Sequence, residues 1–223
     1  MTEYSARAVE SNQDGVHDQL DKQVQRHLNK HFKRPIPSFS QAVFEQAANW
    51  LETQQRPIIF DSYCGVGEST AALAKRHPDC SVIGLDKSAH RLAKHEQQYR
   101  NQEAENYLLL RADVDDFWRL AVAAGWQLQH HYLLYPNPWP KSSHLKRRCH
   151  GSPLFPTLLA LGGQLELRSN WPVYVEEFSK ALSLAGKDNH WQSFTAEPAI
   201  TPFERKYQLA GQTLWHCRCD LSA

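Results

Sequence analysis

Five short apolar runs, each followed by a helical pattern, set the rhythm of this chain: PIIFDS, SVIGLD, YLLLRAD, HYLLYPNP and GGQLELRSN. The spacing predicts helices over 68–76, 89–100, 115–124 and 172–184, with a further helix capped by Ser152 and opened by Pro153. Strands that alternate with helices become parallel neighbours joined by right-handed crossovers, and ligands then sit beyond the carboxyl ends of the strands. Two closing runs, WQSFTAE and TLWHCRCDL, with a loop between them, finish the sheet as an antiparallel pair. The expected fold is therefore a Rossmann-like α/β domain. It has a seven-stranded, mostly parallel sheet with an antiparallel end pair and helices on both faces.

At 223 residues the chain suits one domain, expected over 21–223 behind a flexible tail of residues 1–20. Ser38 and Gln41 have capping-box spacing ahead of Val43, Ala47 and Leu51, which predicts an amphipathic helix before the sheet. No apolar stretch approaches the ~20 residues that span a bilayer, and the first residues lack a signal-peptide core, so a cytoplasmic protein is expected. Five cysteines without paired C-x-x-C spacing favour neither a disulfide framework nor a metal site, and Cys217 and Cys219 read as same-face residues of a late strand.

The net charge of +1 hides a segregation of signs. Residues 22–44 contain no acid but carry Lys22, Arg26, Lys30, Lys33 and Arg34; residues 117–165 contain none but carry Arg119, Lys141, Lys146, Arg147 and Arg148. With His27, His31, His144 and His150 nearby, these windows suit a phosphate backbone, although a solvated basic face is an equal alternative on charge alone.

FDSYCGVGE places Asp61 at the end of the first strand and Gly65 and Gly67 in the turn before a helix. Asp86 ends the next strand, 19 residues after Gly67, at the spacing where a carboxylate meets a ribose diol. Asp113 ends the third, placed either to accept an adenine amino hydrogen or to cap the next helix. The third glycine of a dinucleotide fingerprint is absent, and Asp61 suits a cationic ammonium better than a pyrophosphate. The pattern favours S-adenosylmethionine over a nicotinamide cofactor.

YPNPWPKSSHLKRR, residues 135–148, is the most specific string. Prolines around Asn137 stiffen the chain at a strand end, and Trp139 is expected to pack in the core. The string resembles the F-P-D-P-W-x-K-x-x-H-x-K-R-R signature of the bacterial tRNA (guanine-N7)-methyltransferase family, a class I methyltransferase fold, and the likeness runs over about residues 58–215. The resemblance implies that Gly65, Gly67, Glu68, Asp86 and Asp113, with Asp61, hold the cofactor. It implies that Thr201 and Glu204, from a T-x-F-E motif, contact the target guanine. Lys141, His144, Lys146, Arg147 and Arg148 would hold a tRNA or another structured RNA. Three positions depart from the family: Tyr63 replaces a glycine of the turn, and Asn137 and Asn170 replace aspartates at the expected active centre. Asparagine keeps size and an acceptor but loses charge, which leaves open methylation of another substrate, such as an exocyclic amine, or RNA binding without catalysis.

Overall fold

The computed structural model describes residues 6–30, 32–98 and 104–222, the side chain of Glu96 excepted. Seven strands, β1 (Ile58–Ser62), β2 (Ser81–Asp86), β3 (Tyr107–Arg111), β4 (Leu128–Leu134), β5 (Gln164–Ser169), β6 (Asn189–Phe194) and β7 (Leu214–Asp220), form one sheet in the order β3-β2-β1-β4-β5-β7-β6. The five strands β1 to β5 run parallel, and β7 runs antiparallel to both β5 and β6. The helices are α1 (Leu20–Leu28), α2 (Ser38–Gln54), α3 (Glu68–Arg76), α4 (Ala89–Ala93), α5 (His95–Gln98), α6 (Val114–Ala123), α7 (Phe155–Ala160), α8 (Pro172–Leu184) and α9 (Pro202–Leu209). None is long and apolar enough to cross a membrane among the described residues.

The period of two along a strand explains why helices cover both faces. Phe60, Ile83 and Leu133 point into one apolar cluster with α1, α6, α7 and α8, whereas their neighbours Ile59, Val82 and Leu134 point into a second one beneath α3. Cys217 and Cys219 are buried on one face of β7, as their spacing predicts.

Four local expectations change. The link between the closing strands is more than a loop, because Thr201 and Glu204 form a reciprocal capping box, with Pro202 in the first turn, that starts α9. The expected Ser38 capping box is absent; Pro37 precedes α2 and makes no side-chain cap. The helix after Ser152 begins only at Phe155, and Ser152 Oγ instead accepts from Leu154 N at 3.1 Å. The stretch expected as one helix over 89–100 breaks into α4 and α5, and its last two residues lie outside those described.

Residues 6–19 also differ from the loose tail expected of them. Gln13 Nε2 and His17 N donate to the buried carboxylate of Glu177 at 2.6 and 2.9 Å. Ser11 Oγ donates to Pro140 O at 2.6 Å, and Val9 and Val16 pack on the larger core cluster. This segment is a strap, held because Glu177 needs donors that α8 alone does not supply.

One buried polar chain predicts acid sensitivity. Trp118 Nε1, a donor only, gives its proton to Ser62 Oγ at 3.0 Å, and the same hydroxyl is hydrogen-bonded to His131 Nε2 at 2.9 Å. His131 is fully buried and neutral, and burial pushes its pKa down to about 3. Unfolded, the same imidazole binds a proton near pH 6.5, so stability falls as pH drops below that value, by up to ~1.4 kcal/mol per unit from this residue until about pH 3. His131→Leu is expected to flatten the dependence of urea midpoint on pH between about 6.5 and 4; an unchanged profile would refute the assignment.

Candidate active site

A cleft of about 380 Å³ opens at the carboxyl ends of β1, β2, β3 and β4, with Tyr63, Asp86, Asp115, Asn137, Trp139 and Arg147 among its lining residues. Strand order puts it where the chain reverses its winding, between β1 and β4.

The glycine turn that follows β1 reaches the cleft through Tyr63. Gly65 and Gly67 hold φ of +63° and +75°, and a Cβ on Gly67 would meet Leu109 Cδ1 at 2.6 Å and His95 Nδ1 at 2.9 Å. A Cβ on Gly65 would meet nothing within 4 Å, so space lies open above the turn. Asp86 is buried at the tip of β2 and accepts from Gly65 N at 3.1 Å and from Ser88 N at 2.7 Å. The half-exposed Arg91 guanidinium, from α4, pairs with its Oδ1 at 3.1 Å. Asp61 is fully buried, and its Oδ2 accepts from Ser69 and Thr70 hydroxyls at 2.6 and 2.7 Å. Its Oδ1 has no partner among the described residues. Burial pushes the Asp61 carboxyl up to about 6 against those two bonds, and the charge of Asp86 adds to the push. Two neighbouring acids, one with an unmet acceptor, suit a cationic group. Glu68 is directed elsewhere, in a bidentate ion pair with Arg205 of α9.

The proline-framed corner forms the other side. Tyr63, Tyr135 and Trp139 adopt left-handed φ of 64°, 56° and 48°, and all three line the cleft. Bulky residues in this region carry about 1–3 kcal/mol of strain each, which persists only where surrounding structure imposes it, and such residues gather at functional sites. Asn137 is exposed and lines the cleft, and its Oδ1 accepts from Trp139 N at 3.1 Å, which closes a local turn. Trp139 belongs to neither core cluster; it borders the cleft, with the Arg147 guanidinium 4.8 Å above its ring and His144 edge-on at 5.5 Å. Its expected core role is thus corrected, because the left-handed backbone turns the ring outward.

The cations of the motif divide into two groups. Lys141, Lys146 and Arg147 are exposed, whereas Arg148 is fully buried. Arg148 pairs with Glu177 at 2.5 Å, lies over the Trp171 ring at 5.0 Å and donates to the carbonyls of Trp139 and Lys141. It holds the motif loop from beneath and does not face a phosphate. Other sequence-predicted residues also sit away from the cleft. Asn170 Nδ2 donates to Gln212 Oε1 at 2.9 Å. Thr201 and Glu204 are buried, and Glu204 is taken up by the capping box and by Arg168 Nη1 at 2.7 Å. Asp113 lines the cleft but also caps α6 through Asp116 N at 3.2 Å.

Sequence reasoning missed Asp115, Cys149, Phe203, Lys87 and Arg91, which all line the cleft, and treated Tyr63 only as a crowding substitution. Burial raises the pKa of Tyr63, Asp115 and Cys149 alike. The one signal available was position: Asp115 lies two residues past a strand-end acid, and Phe203 lies inside the T-x-F-E string.

The family described as "Putative methyltransferase" matches residues 55–217. A tRNA (guanine-N(7)-)-methyltransferase of Treponema pallidum subsp. pallidum is 29% identical over 167 residues, covering 71% of this chain and 64% of the relative. A protein of the same name from Brevibacillus brevis is 25% identical over 195 residues, covering 82% of this chain and 90% of the relative. This chain thus spans a little under two thirds of the Treponema protein. Among solved structures, the 16S rRNA methyltransferase KamB superposes with a TM-score of 0.58 at 17% identity, covering 79% of this chain and 93% of that one. The 16S rRNA (adenine(1408)-N(1))-methyltransferase from Catenulisporales acidiphilia superposes at 0.53 and 18% identity, covering 86% and 95%. Those two likenesses establish the fold, and the family match, over most of the sheet and the cleft, establishes that this chain belongs to that methyltransferase family.

Proposed function

We propose that this chain transfers a methyl group from S-adenosylmethionine to N7 of a guanine in tRNA. The observation that carries the reading is the cleft itself, which joins a buried strand-tip carboxylate, Asp86, to a strained aromatic corner that presents Arg147. The relatives' names point the same way.

Asp86 would accept the ribose hydroxyls, with Arg91 displaced, and the unmet Oδ1 of Asp61 and the open Gly65 turn fit a cationic amino-acid tail. When bound, S-adenosylmethionine would supply an electrophilic methyl group, with its sulfur as the leaving group that keeps the bonding pair and the N7 lone pair as the nucleophile. Guanine N7 carries no proton, so no general base is required and alignment with water exclusion supplies most of the catalysis. Asn137 presents an uncharged amide to the incoming purine. Asp115, whose carboxyl pKa burial raises, lines that cleft and can answer positive charge on the purine once ionised. Lys141, Lys146 and Arg147 are free to hold phosphates.

Incubation with labelled S-adenosylmethionine and bulk tRNA lacking 7-methylguanosine, followed by nucleoside mass spectrometry, tests this. The expected product is 7-methylguanosine. A different methylated nucleoside, or no incorporation at saturating enzyme, overturns it.

A further inference from the structure

The two acid-free windows are about a hundred residues apart in the sequence, and the fold brings them together. Helix α1 packs on α7, α8 and the short 3₁₀ segment Cys149–Gly151, which packs in turn on the 3₁₀ segment Ser142–Arg147. Gln23 is the link: its Nε2 donates to Gly151 O at 3.2 Å and lies 2.5 Å from His27 Nε2. His27 is close enough to the second window that, after burial and the charge of Arg26, the charge of Lys146 also holds its pKa below the usual value.

Arg26 on α1 and Lys30, two residues past its end, are exposed, and Lys22 lies one turn before Arg26 on the helix. The helix carries a single acid, Asp21 in its first turn, and this is engaged by Lys180 of α8 at 2.6 Å. The exposed C-terminal half of α1 is therefore cationic and continues toward Lys146 and Arg147, and Arg147 is on the lip of the cleft. None of these α1 residues falls within the stretch matched by the methyltransferase family, which starts at residue 55.

We propose that Arg26 of α1 and Lys30 just past its end form one continuous phosphate track with Lys146 and Arg147, along which an RNA backbone is laid as its target base enters the cleft. The inference rests on RNA being the substrate, as proposed above. RNA is favoured over an anionic membrane because the stripe ends at a cleft rather than on a flat face, and the exposed side chains beside it are polar. The physics is electrostatic: each phosphate met by a cation releases condensed counterions, so binding weakens with salt in proportion to the number of contacts.

The test is the binding of unmodified tRNA to the full chain, followed by fluorescence anisotropy between about 50 and 200 mM salt. In the variant Arg26→Glu/Lys30→Glu, the slope of log affinity against log salt is expected to flatten by about 2, with affinity down roughly tenfold or more at the lower salt and S-adenosylmethionine affinity unchanged. The control Lys75→Glu/Arg76→Glu makes the same change in net charge at the far end of α3 and is expected to leave the slope close to that of the parent. An α1 variant with the parent slope, or a control that flattens the slope equally, overturns the track. Because the readout needs no methyl transfer, it is independent of the nucleoside assay. Formation of 7-methylguanosine by a protein whose α1 variant binds normally would sink the track alone, and a flattened slope without any methylated product would sink the catalytic reading alone.

Discussion

Glu177→Ala is expected to lower the stability of the protein by about 3–5 kcal/mol, the largest loss for any single side chain outside the apolar clusters. The carboxylate has no exposure and accepts four hydrogen bonds, from Arg148 Nη1, His150 Nε2, Gln13 Nε2 and His17 N. Burial on its own would raise its pKa, but the bond from His150 and the neighbouring Arg148 guanidinium outweigh it and hold the carboxyl at about 2. Removing the acid leaves the Arg148 charge buried without a counter-ion, which costs far more than the net value of the intact pair. For a chain of this length the loss corresponds to a fall in Tm of roughly 10 °C or more. Calorimetry or urea denaturation reads it directly. Arg148→Met/Glu177→Leu, which removes both charges together, is expected to recover much of that stability. A single variant that melts with the parent, or a double variant that melts below the single one, would show that the pair is not the node described.

The same node explains how the strap and the motif loop are tied together. Arg148 reaches from Glu177 to the Trp139 and Lys141 carbonyls and to Gln13 Oε1, so α8, the strap and the proline corner share one buried charge pair. The corner holds left-handed Tyr135 and Trp139, and their strain must be opposed by contacts of this kind.

How legible this was in the sequence depended on whether a residue's role was set locally. Strands β1 to β5 follow apolar runs because parallel strands are buried on both faces, and α3 and α8 lie where helical spacing and flanking residues place them. The glycine turn and Asp86 were also readable, since strand-end position and spacing define them. Arg148 was misread because its partner is 29 residues away on another helix, and nothing in the run KRR separates the buried arginine from the two exposed cations. Glu204 was misread for a related reason: a T-x-x-E string is at once a capping box and a base-contact motif, and its burial follows from Arg168 on β5. The cleft's aromatic lining could not be read because Tyr63, Tyr135 and Trp139 reach it through backbone angles that tyrosine and tryptophan rarely adopt.

Asp86→Ala is expected to reduce S-adenosylmethionine affinity at least about a hundredfold. Hydrogen bonds to a charged group contribute about 1.5–3 kcal/mol each, so losing two bonds to a ribose diol exceeds the ~2.7 kcal/mol that a hundredfold change requires. The substitution also unpairs Gly65 N and Ser88 N, which loosens the turn as well as the ligand. Isothermal titration at a temperature where the variant is fully folded separates these effects, with the melting curve as the control for folding. Arg91→Ala provides the opposite sign. On the proposed reading the Arg91 guanidinium, paired with Asp86 Oδ1, competes with the diol, so its removal is expected to tighten cofactor binding several-fold while leaving Gly65 and Ser88 bonded to the acid. If Arg91→Ala weakened binding as much as Asp86→Ala does, Arg91 would be a ligand-holding group and the Asp86 carboxylate would not be the ribose acceptor. If Asp86→Ala bound like the parent, the adenosine end of the cleft would have to be sought elsewhere.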